Sequence, residues 1–212
     1  MRYELAIFDF DGTLADSFPF LVSVFNQLAE RHGFRAIAPG EVQALRRLHA
    51  REVMRRVGLP ARKLPGVAKD FVARMRETRS AVAAFPGAAE LVTDLALAGV
   101  KVGIVSSNSH ENVSAVLGTQ ASSAVRYFAC GMSIFGKRSH LRKVLKRSGV
   151  APERALYIGD QPTDPEAAAA EGIDFGAVAW GYGDLAHLQA LGAAHAFRDI
   201  LDIGALLGTA RP

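Results

Sequence analysis

The stretch YELAIFDFDGTLADS, residues 3–17, decides the fold. Its apolar residues 5–8 predict a buried strand, which delivers two carboxylates, Asp9 and Asp11, ahead of a Gly-Thr turn. Acids this close together repel each other and raise each other's pKa unless a cation or another partner compensates the charge. A chain with no function at this point would not need the pair, so we expect a functional site here.

The composition is that of an ordinary globular protein. The chain has 212 residues, of which 50% are hydrophobic and 22% are charged, and its formal net charge is +4. This length allows one substantial core, or a core with a small second module. The mild positive charge does not require a nucleic-acid partner, and it suits an anionic metabolite equally well.

Membrane and secretory signals are not evident. No apolar run reaches the ~18 residues that a membrane span needs, and the N-terminus is unlike a signal peptide. Cys130 is the only cysteine, so an internal disulfide is impossible and a reducing compartment fits. We therefore expect a cytoplasmic protein, with no membrane partner, that is a monomer or a homodimer.

From about residue 83 onward, strand-like and helix-like segments alternate. The strand segments are continuously apolar, which is typical of a parallel sheet covered by helices on both faces. We therefore predict an α/β protein with a Rossmann-like parallel sheet. The predicted helices are 86–98, 110–117, 138–148 and 164–171, and the predicted strands after the first are 100–106, 126–132, 155–159 and 174–180.

Residues 17–81 differ from the rest, because they contain helical stretches and no convincing strand. The helical stretches are 18–32, about 40–57 and 66–80. We predict that this block is a small all-helical cap inserted after the first strand. Residues 1–16 and 82–212 would then form the Rossmann-like core.

Polar side chains stand where the predicted strands end. Asp9 and Asp11 follow the first strand, and Ser106 ends a later one. Asp160 follows a third strand, and Lys137 opens a predicted helix. Ligands of open parallel sheets bind beyond the carboxyl ends of the strands, so we expect these groups to gather at one edge.

This set of groups suits phosphoryl transfer. A carboxylate can attack phosphorus, and a second acid can protonate the leaving oxygen and later activate water. Two or three acids around one point form an oxygen site suited to Mg²⁺, which offsets the repulsion between nucleophile and phosphate. A hydroxyl and an ammonium group can hold the phosphoryl oxygens. The residues therefore indicate a Mg²⁺-dependent phosphatase.

Four motifs then occur in the order of a known family: DFDGTL at 9–14, IVSSN at 104–108, FGK at 135–137 and YIGDQPTD at 157–164. With them the sequence resembles a haloacid dehalogenase-superfamily hydrolase of the helical-cap subclass, phosphoglycolate phosphatase-like. The resemblance implies a small phosphorylated metabolite as the substrate, turned over through a phospho-aspartate.

The resemblance also implies a role for each matching residue. Asp9 would be the nucleophile and Asp11 the general acid/base. Ser106 and Lys137 would bind the phosphoryl group, with Ser107 as the competing hydroxyl. The residues implied to hold or support Mg²⁺ are Asp9, the carbonyl of Phe10, Asp160 and Asp164.

Several alternatives stay open at this point. Arg46, Arg47 and His49 fall where caps of this kind meet substrate, but a basic helix face is more often simply solvated. A phosphosugar mutase of the same superfamily would carry the same residues, and a non-catalytic phosphometabolite-binding protein is a more distant reading. Asp11 disfavours a dehalogenase, because that chemistry has no leaving oxygen to protonate, and it disfavours a phosphonate hydrolase as well.

Overall fold

The computed structural model describes residues 2–45, 48, 50–77, 82–131 and 136–209. The chain divides into two compact units. One unit is formed by Met1–Asp16 together with Ala83–Pro212, and the other by Ser17–Val82. Among the described residues, every strand belongs to the first unit.

Eight strands occur in the described part of the first unit. They are β1 (Leu5–Asp9), β2 (Ala15–Asp16), β3 (Ala83–Ala84), β4 (Lys101–Ser106), β5 (Tyr127–Cys130), β6 (Ala155–Gly159), β7 (Asp174–Val178) and β8 (His195–Phe197).

Six of these strands form one parallel sheet in the order β5-β4-β1-β6-β7-β8. β1 is central, with Phe8 opposite Ile104 of β4 on one side and Ile158 of β6 on the other. Every residue of β1 and β6 is buried, which explains why their sequences are almost continuously apolar. The sheet confirms the predicted α/β, Rossmann-like fold class.

Ten helices accompany the strands within the described residues. They are α1 (Phe18–His32), α2 (Val42–Leu45), α3 (Ala50–Arg56), α4 (Leu64–Glu77), α5 (Ala88–Leu97), α6 (His110–Ala124), α7 (Gly136–Ser148), α8 (Thr163–Ala169), α9 (Leu185–Ala190) and α10 (Ile200–Leu207). In this part of the chain no helix combines the length and apolar character needed to cross a membrane.

The first unit has a shared apolar core between the sheet and its helices. Leu141 and Val144 of α7 join Leu5 and Ile7 of β1 in one buried cluster, to which Tyr157 of β6 also belongs. Such packing explains the helical spacing of apolar residues in 138–148, since one face of the helix must be buried. The core thereby holds the ends of β1 and β6, and the start of α7, in fixed positions.

The second unit, Ser17–Val82, contains an apolar core of its own. Phe20, Val24 and Leu28 recur on one face of α1 and pack in a cluster that includes Val67 of α4. Gly33 follows the last residue of α1 and caps the helix. It adopts the left-handed conformation (φ 64°) that other residues rarely take.

Several elements differ from the sequence predictions. The stretch about 40–57 is a 3₁₀ turn followed by two short helices, α2 and α3, rather than one helix. α6 runs past the predicted end at 117 to Ala124, because the chain resumes the helix after a break at Gly118 (φ 78°, ψ 165°). β2, β3, β8, α9 and α10 were not predicted. β2 and β3 have two residues each, too few to show a period.

Candidate active site

The parallel sheet brings three predicted site residues to one edge. Asp9 ends β1, Ser106 ends the neighbouring β4, and Asp160 directly follows β6 on the other side of β1. All three are buried, with exposed fractions of 3%, 3% and 0%. The carboxyl ends of adjacent parallel strands meet at the same edge, which is why residues far apart in sequence become neighbours here.

Lys137 joins this group from the first turn of α7. Its ammonium nitrogen lies 2.7 Å from Oδ2 of Asp9 and 2.5 Å from Oδ1 of Asp164. Both carboxylates are buried, whereas the lysine side chain keeps 23% of its surface exposed. The lysine therefore supplies a positive charge between two acids whose negative charges water cannot solvate.

Asp160 is held by groups from two loops. Its Oδ1 accepts a hydrogen bond from the Thr13 hydroxyl at 3.0 Å, and its Oδ2 accepts one from the Tyr182 backbone N–H at 2.7 Å. Two glycines leave the space that the carboxylate occupies. A Cβ on Gly12 (φ 82°) would lie 2.4 Å from Asp160 Oδ2, and a Cβ on Gly181 would lie 2.1 Å from Asp160 Cβ.

Asp164 is fully engaged by its surroundings. Its Oδ2 accepts the backbone N–H groups of Asp160 at 3.1 Å and Gln161 at 2.9 Å. Its Oδ1 accepts the Tyr157 hydroxyl at 3.2 Å and the Lys137 ammonium group. With both oxygens bonded to the protein, Asp164 closes the loop after β6 and orients Lys137.

Burial is the main cause of the pKa shifts of Asp9 and Asp160. It raises the pKa of Asp9 to about 7, against the opposing charge of Lys137 and with a further upward contribution from Asp164. Burial also raises the pKa of Asp160 well above its ordinary value, and the charges of Asp9 and Asp164 add to the effect. Burial acts to lower the pKa of Lys137, but the two flanking carboxylates outweigh it and hold that pKa above its usual range.

Asn108 forms hydrogen bonds to both Asp11 and Ser106. The Asn108 side-chain amide donates to Oδ2 of Asp11 at 2.7 Å, and the Asn108 backbone N–H donates to the Ser106 hydroxyl oxygen at 3.0 Å. Ser107, the competing hydroxyl, is exposed, whereas Ser106 is buried at the strand end. The buried position makes Ser106 the hydroxyl that is fixed relative to Asp9.

Comparison of the sequence with models of known protein families shows to which family the chain belongs. The sequence model of the family described as haloacid dehalogenase-like hydrolase matches residues 6–178, which is most of the chain. The chain belongs to the haloacid dehalogenase-like hydrolases. Among these hydrolases, a phosphoglycolate phosphatase of Synechococcus elongatus is 35% identical over 188 residues, which cover 88% of this chain and 89% of that protein.

One further sequence relative and one solved structure are also similar to this chain. The tyrosine-protein kinase PtkA of Mycobacterium tuberculosis is 30% identical over 192 residues, 85% of this chain and 63% of that protein. The structure of a haloacid dehalogenase-like hydrolase from Streptococcus pneumoniae superposes with a TM-score of 0.83 and 18% identity, covering 97% of this chain and 98% of that one. At this identity the superposition shows the shared fold alone.

The acids of this hydrolase fit a divalent cation. Asp9, Asp160 and Asp164 each offer a carboxylate oxygen, and these oxygens lie within 4.8 Å of one another. Oxygen donors are the ligands that Mg²⁺ prefers. Lys137 contacts Asp9 and Asp164, and a divalent cation would balance the negative charge that one ammonium group leaves on three ionised acids.

The predicted metal ligand Phe10 needs a correction. Its carbonyl oxygen accepts backbone N–H groups from Thr13 at 3.3 Å, Leu14 at 3.0 Å and Ala15 at 2.9 Å. A carbonyl oxygen has two lone pairs, so these bonds leave it no capacity to bind a metal ion. We therefore assign the Phe10 carbonyl to closure of the loop after β1 and remove it from the ligand set.

Three predicted specificity residues, Arg46, Arg47 and His49, lie outside the described residues and stay a prediction. The sequence reasoning missed the roles of Thr13, Tyr157 and Asn108. Thr13 and Tyr157 lie inside the motifs at 9–14 and 157–164, but nothing in those motifs shows that their hydroxyl groups bond Asp160 and Asp164.

Proposed function

We propose that this protein is a Mg²⁺-dependent phosphatase that hydrolyses a small phosphomonoester through a phospho-aspartate at Asp9, in the manner of a phosphoglycolate phosphatase. The observation that carries the proposal is the buried Asp9 carboxylate 2.7 Å from Lys137, in a chain of this hydrolase family. The name of the Synechococcus elongatus relative makes 2-phosphoglycolate the first substrate to test.

In the first half of the reaction, a carboxylate oxygen of Asp9 forms a bond to phosphorus while the ester P–O bond breaks. The Ser106 hydroxyl and the Lys137 ammonium group bind the phosphoryl oxygens, whose charge they stabilise. Asp11 donates its proton to the leaving oxygen, so the product departs as an alcohol.

In the second half, the ionised Asp11 accepts a proton from a water molecule, and the water oxygen attacks phosphorus. The bond between phosphorus and the Asp9 oxygen breaks, which releases inorganic phosphate and restores the Asp9 carboxylate. Asp11 ends the cycle protonated, ready for the next substrate.

Bound Mg²⁺ would supply positive charge that offsets the repulsion between Asp9 and the phosphoryl dianion. Asp9 and Asp160 are the direct ligands that we propose. Asp164 is proposed to support the metal site without binding the ion directly, because each of its oxygens accepts two hydrogen bonds, whereas the described contacts of Asp160 give each oxygen one.

The test is phosphate release from a panel of phosphorylated metabolites with Mg²⁺, starting with 2-phosphoglycolate. Asp9→Asn should lose essentially all turnover, because an amide cannot form the acyl phosphate. Asp199→Asn is the matched control. Asp199 is an exposed helix cap that accepts the Leu201 backbone N–H at 2.9 Å, and asparagine caps equally well, so turnover should not change.

The metal is tested in the same assay. EDTA should abolish phosphate release and Mg²⁺ should restore it, whereas full activity in EDTA would contradict the metal assignment. Transfer of the phosphoryl group to a sugar phosphate or to a tyrosine peptide, without release to water, would contradict the phosphatase proposal and leave the covalent step at Asp9 intact.

A further inference from the structure

Every polar group of Asn108 is bonded in the structure. The backbone N–H donates to the Ser106 hydroxyl oxygen, and the carbonyl accepts the Gly131 N–H at 2.7 Å. The side-chain nitrogen donates to Asp11 Oδ2 at 2.7 Å, and the side-chain oxygen accepts from the Asn112 amide at 3.2 Å. Asn108 therefore has one defined position and one defined amide orientation.

The Asp11 contact decides which way the Asn108 amide points. If the amide were turned over, its oxygen would face the Asp11 carboxylate, and an ionised carboxylate has no hydrogen to donate to it. Asn112 is itself held in the first turn of α6, where its backbone N–H donates to the Ser109 hydroxyl at 3.3 Å. Asn108, which directly precedes the N-cap residue Ser109 of α6, thus presents its side-chain N–H to Asp11.

We propose that Asn108 is a positioning residue for the general acid: its side-chain N–H holds the carboxyl group of Asp11 beside the phosphoryl-binding Ser106. This inference rests on the proposed phosphatase function. The hydrogen bond at 2.7 Å fixes the orientation of the Asp11 carboxyl group. Through its backbone, the same residue holds Ser106, so the acid and the phosphoryl-binding hydroxyl are kept in one geometry.

Loss of the Asn108 amide should affect only the steps in which Asp11 handles a proton. An alkyl phosphate such as 2-phosphoglycolate needs a proton on its leaving oxygen, whereas p-nitrophenyl phosphate releases a phenolate that does not. The quantity kcat/KM reports the steps up to formation of the phospho-aspartate and excludes its later hydrolysis. The ratio of kcat/KM for the two substrates therefore isolates proton delivery to the leaving group.

The experiment compares Asn108→Ala and Asn108→Asp with wild type on both substrates. Asn108→Asp keeps the size of the side chain and its oxygen toward Asn112, but it replaces the donor to Asp11 with a second carboxyl group, which adds like-charge repulsion to the loss of the hydrogen bond. We expect both variants to lose about 10–100-fold in kcat/KM for the alkyl phosphate, part of the ~10²–10⁴ that general acid–base catalysis supplies. On p-nitrophenyl phosphate kcat/KM should change less than about threefold.

Ser123→Ala is the matched structural control, because it removes an exposed hydrogen bond near the other end of α6, from the Ser123 hydroxyl to the Gln120 carbonyl at 2.8 Å. An equal loss on both substrates, or the same substrate pattern in Ser123→Ala, would overturn the role of Asn108 and leave the proposed function standing. If wild type hydrolyses neither substrate and matches Asp9→Asn, the proposed function fails, and this inference fails with it.

Discussion

Asp9 is a charged group placed where water cannot reach it. Burial raises its pKa to about 7 from the ordinary 3.8, Lys137 opposes the rise, and Asp164 adds to it. The folded protein thus holds the Asp9 proton more tightly than the unfolded chain does. The stabilising effect of that proton is complete below about pH 3.8 and is lost as the pH rises through about 7. Ionisation of Asp9 at neutral pH therefore costs the metal-free protein stability.

Asp9→Asn should accordingly stabilise the metal-free protein more at pH 8 than at pH 5, since asparagine cannot ionise. One unit of pKa corresponds to about 1.4 kcal/mol, so the advantage over wild type should grow by roughly 1–3 kcal/mol across this range. Urea unfolding in EDTA at several pH values measures it. A difference that stays constant with pH would contradict the direction of the Asp9 shift.

At the scale of elements, two loops close around the end of β6. The loop after β1 contributes Thr13, and the segment after β7 contributes the Tyr182 backbone N–H, both to the carboxylate of Asp160. The Gly183 N–H also donates to the Asp160 carbonyl at 3.0 Å. Contact this close is possible only because Gly181 has no side chain, as its Cβ would lie 2.1 Å from the Asp160 Cβ.

Gly181→Ala should therefore displace the Asp160 carboxylate and destabilise the protein by about 1–3 kcal/mol, as overpacking typically does. It should also weaken the rise in melting temperature that Mg²⁺ produces in wild type. The control is Gly40→Ala, because a Cβ at Gly40 meets nothing within 4 Å. Thermal unfolding with and without Mg²⁺ measures both effects. A Gly181→Ala protein that keeps the full Mg²⁺ response would show that Asp160 can move without losing the metal.

At the scale of the whole first unit, the candidate site and a cluster of structural hydrogen bonds lie at opposite ends of the parallel strands. The candidate site lies at the carboxyl ends of the strands, whereas Tyr3, Asp174 and His195 meet where β1, β7 and β8 begin. The Tyr3 hydroxyl donates to Asp174 at 2.6 Å and therefore accepts from His195 Nε2 at 2.7 Å. This cluster joins the start of the chain to the last strand of the sheet.

Tyr3→Phe should remove this link without touching the site. The half-buried partners Asp174 and His195 lose a hydrogen bond each, and such a bond typically contributes about 0.5–1.5 kcal/mol, so the free energy of unfolding should fall by about 1–3 kcal/mol. Turnover at saturating substrate should stay within about twofold of wild type. Denaturant unfolding together with steady-state kinetics checks both expectations. Loss of turnover in a variant that is still folded would mean that the two ends of the sheet are coupled.

The sequence by itself determined the fold class and the order of the chemical groups. An unbroken apolar run indicates a strand buried on both faces. A polar residue at the end of such a strand lies on the edge of the sheet where ligands bind. The positions of Asp9, Ser106 and Asp160 could therefore be predicted from the local sequence pattern alone. The two-residue strand β2 and the continuation of α6 past Gly118 could not be predicted, because strand pairing and the resumed helix depend on the rest of the structure.

Only the tertiary structure decided how these groups bond. Asn108 reaches Asp11 across 97 positions of sequence, and Thr13 reaches Asp160 across 147. The Phe10 carbonyl, expected to bind metal, instead accepts N–H groups of its own loop. The spacing of apolar residues along the sequence indicates which residues are buried. A hydrogen bond depends instead on the backbone conformation of the loops and on the distance between two atoms. Those distances are set only when the whole sheet and its loops have packed.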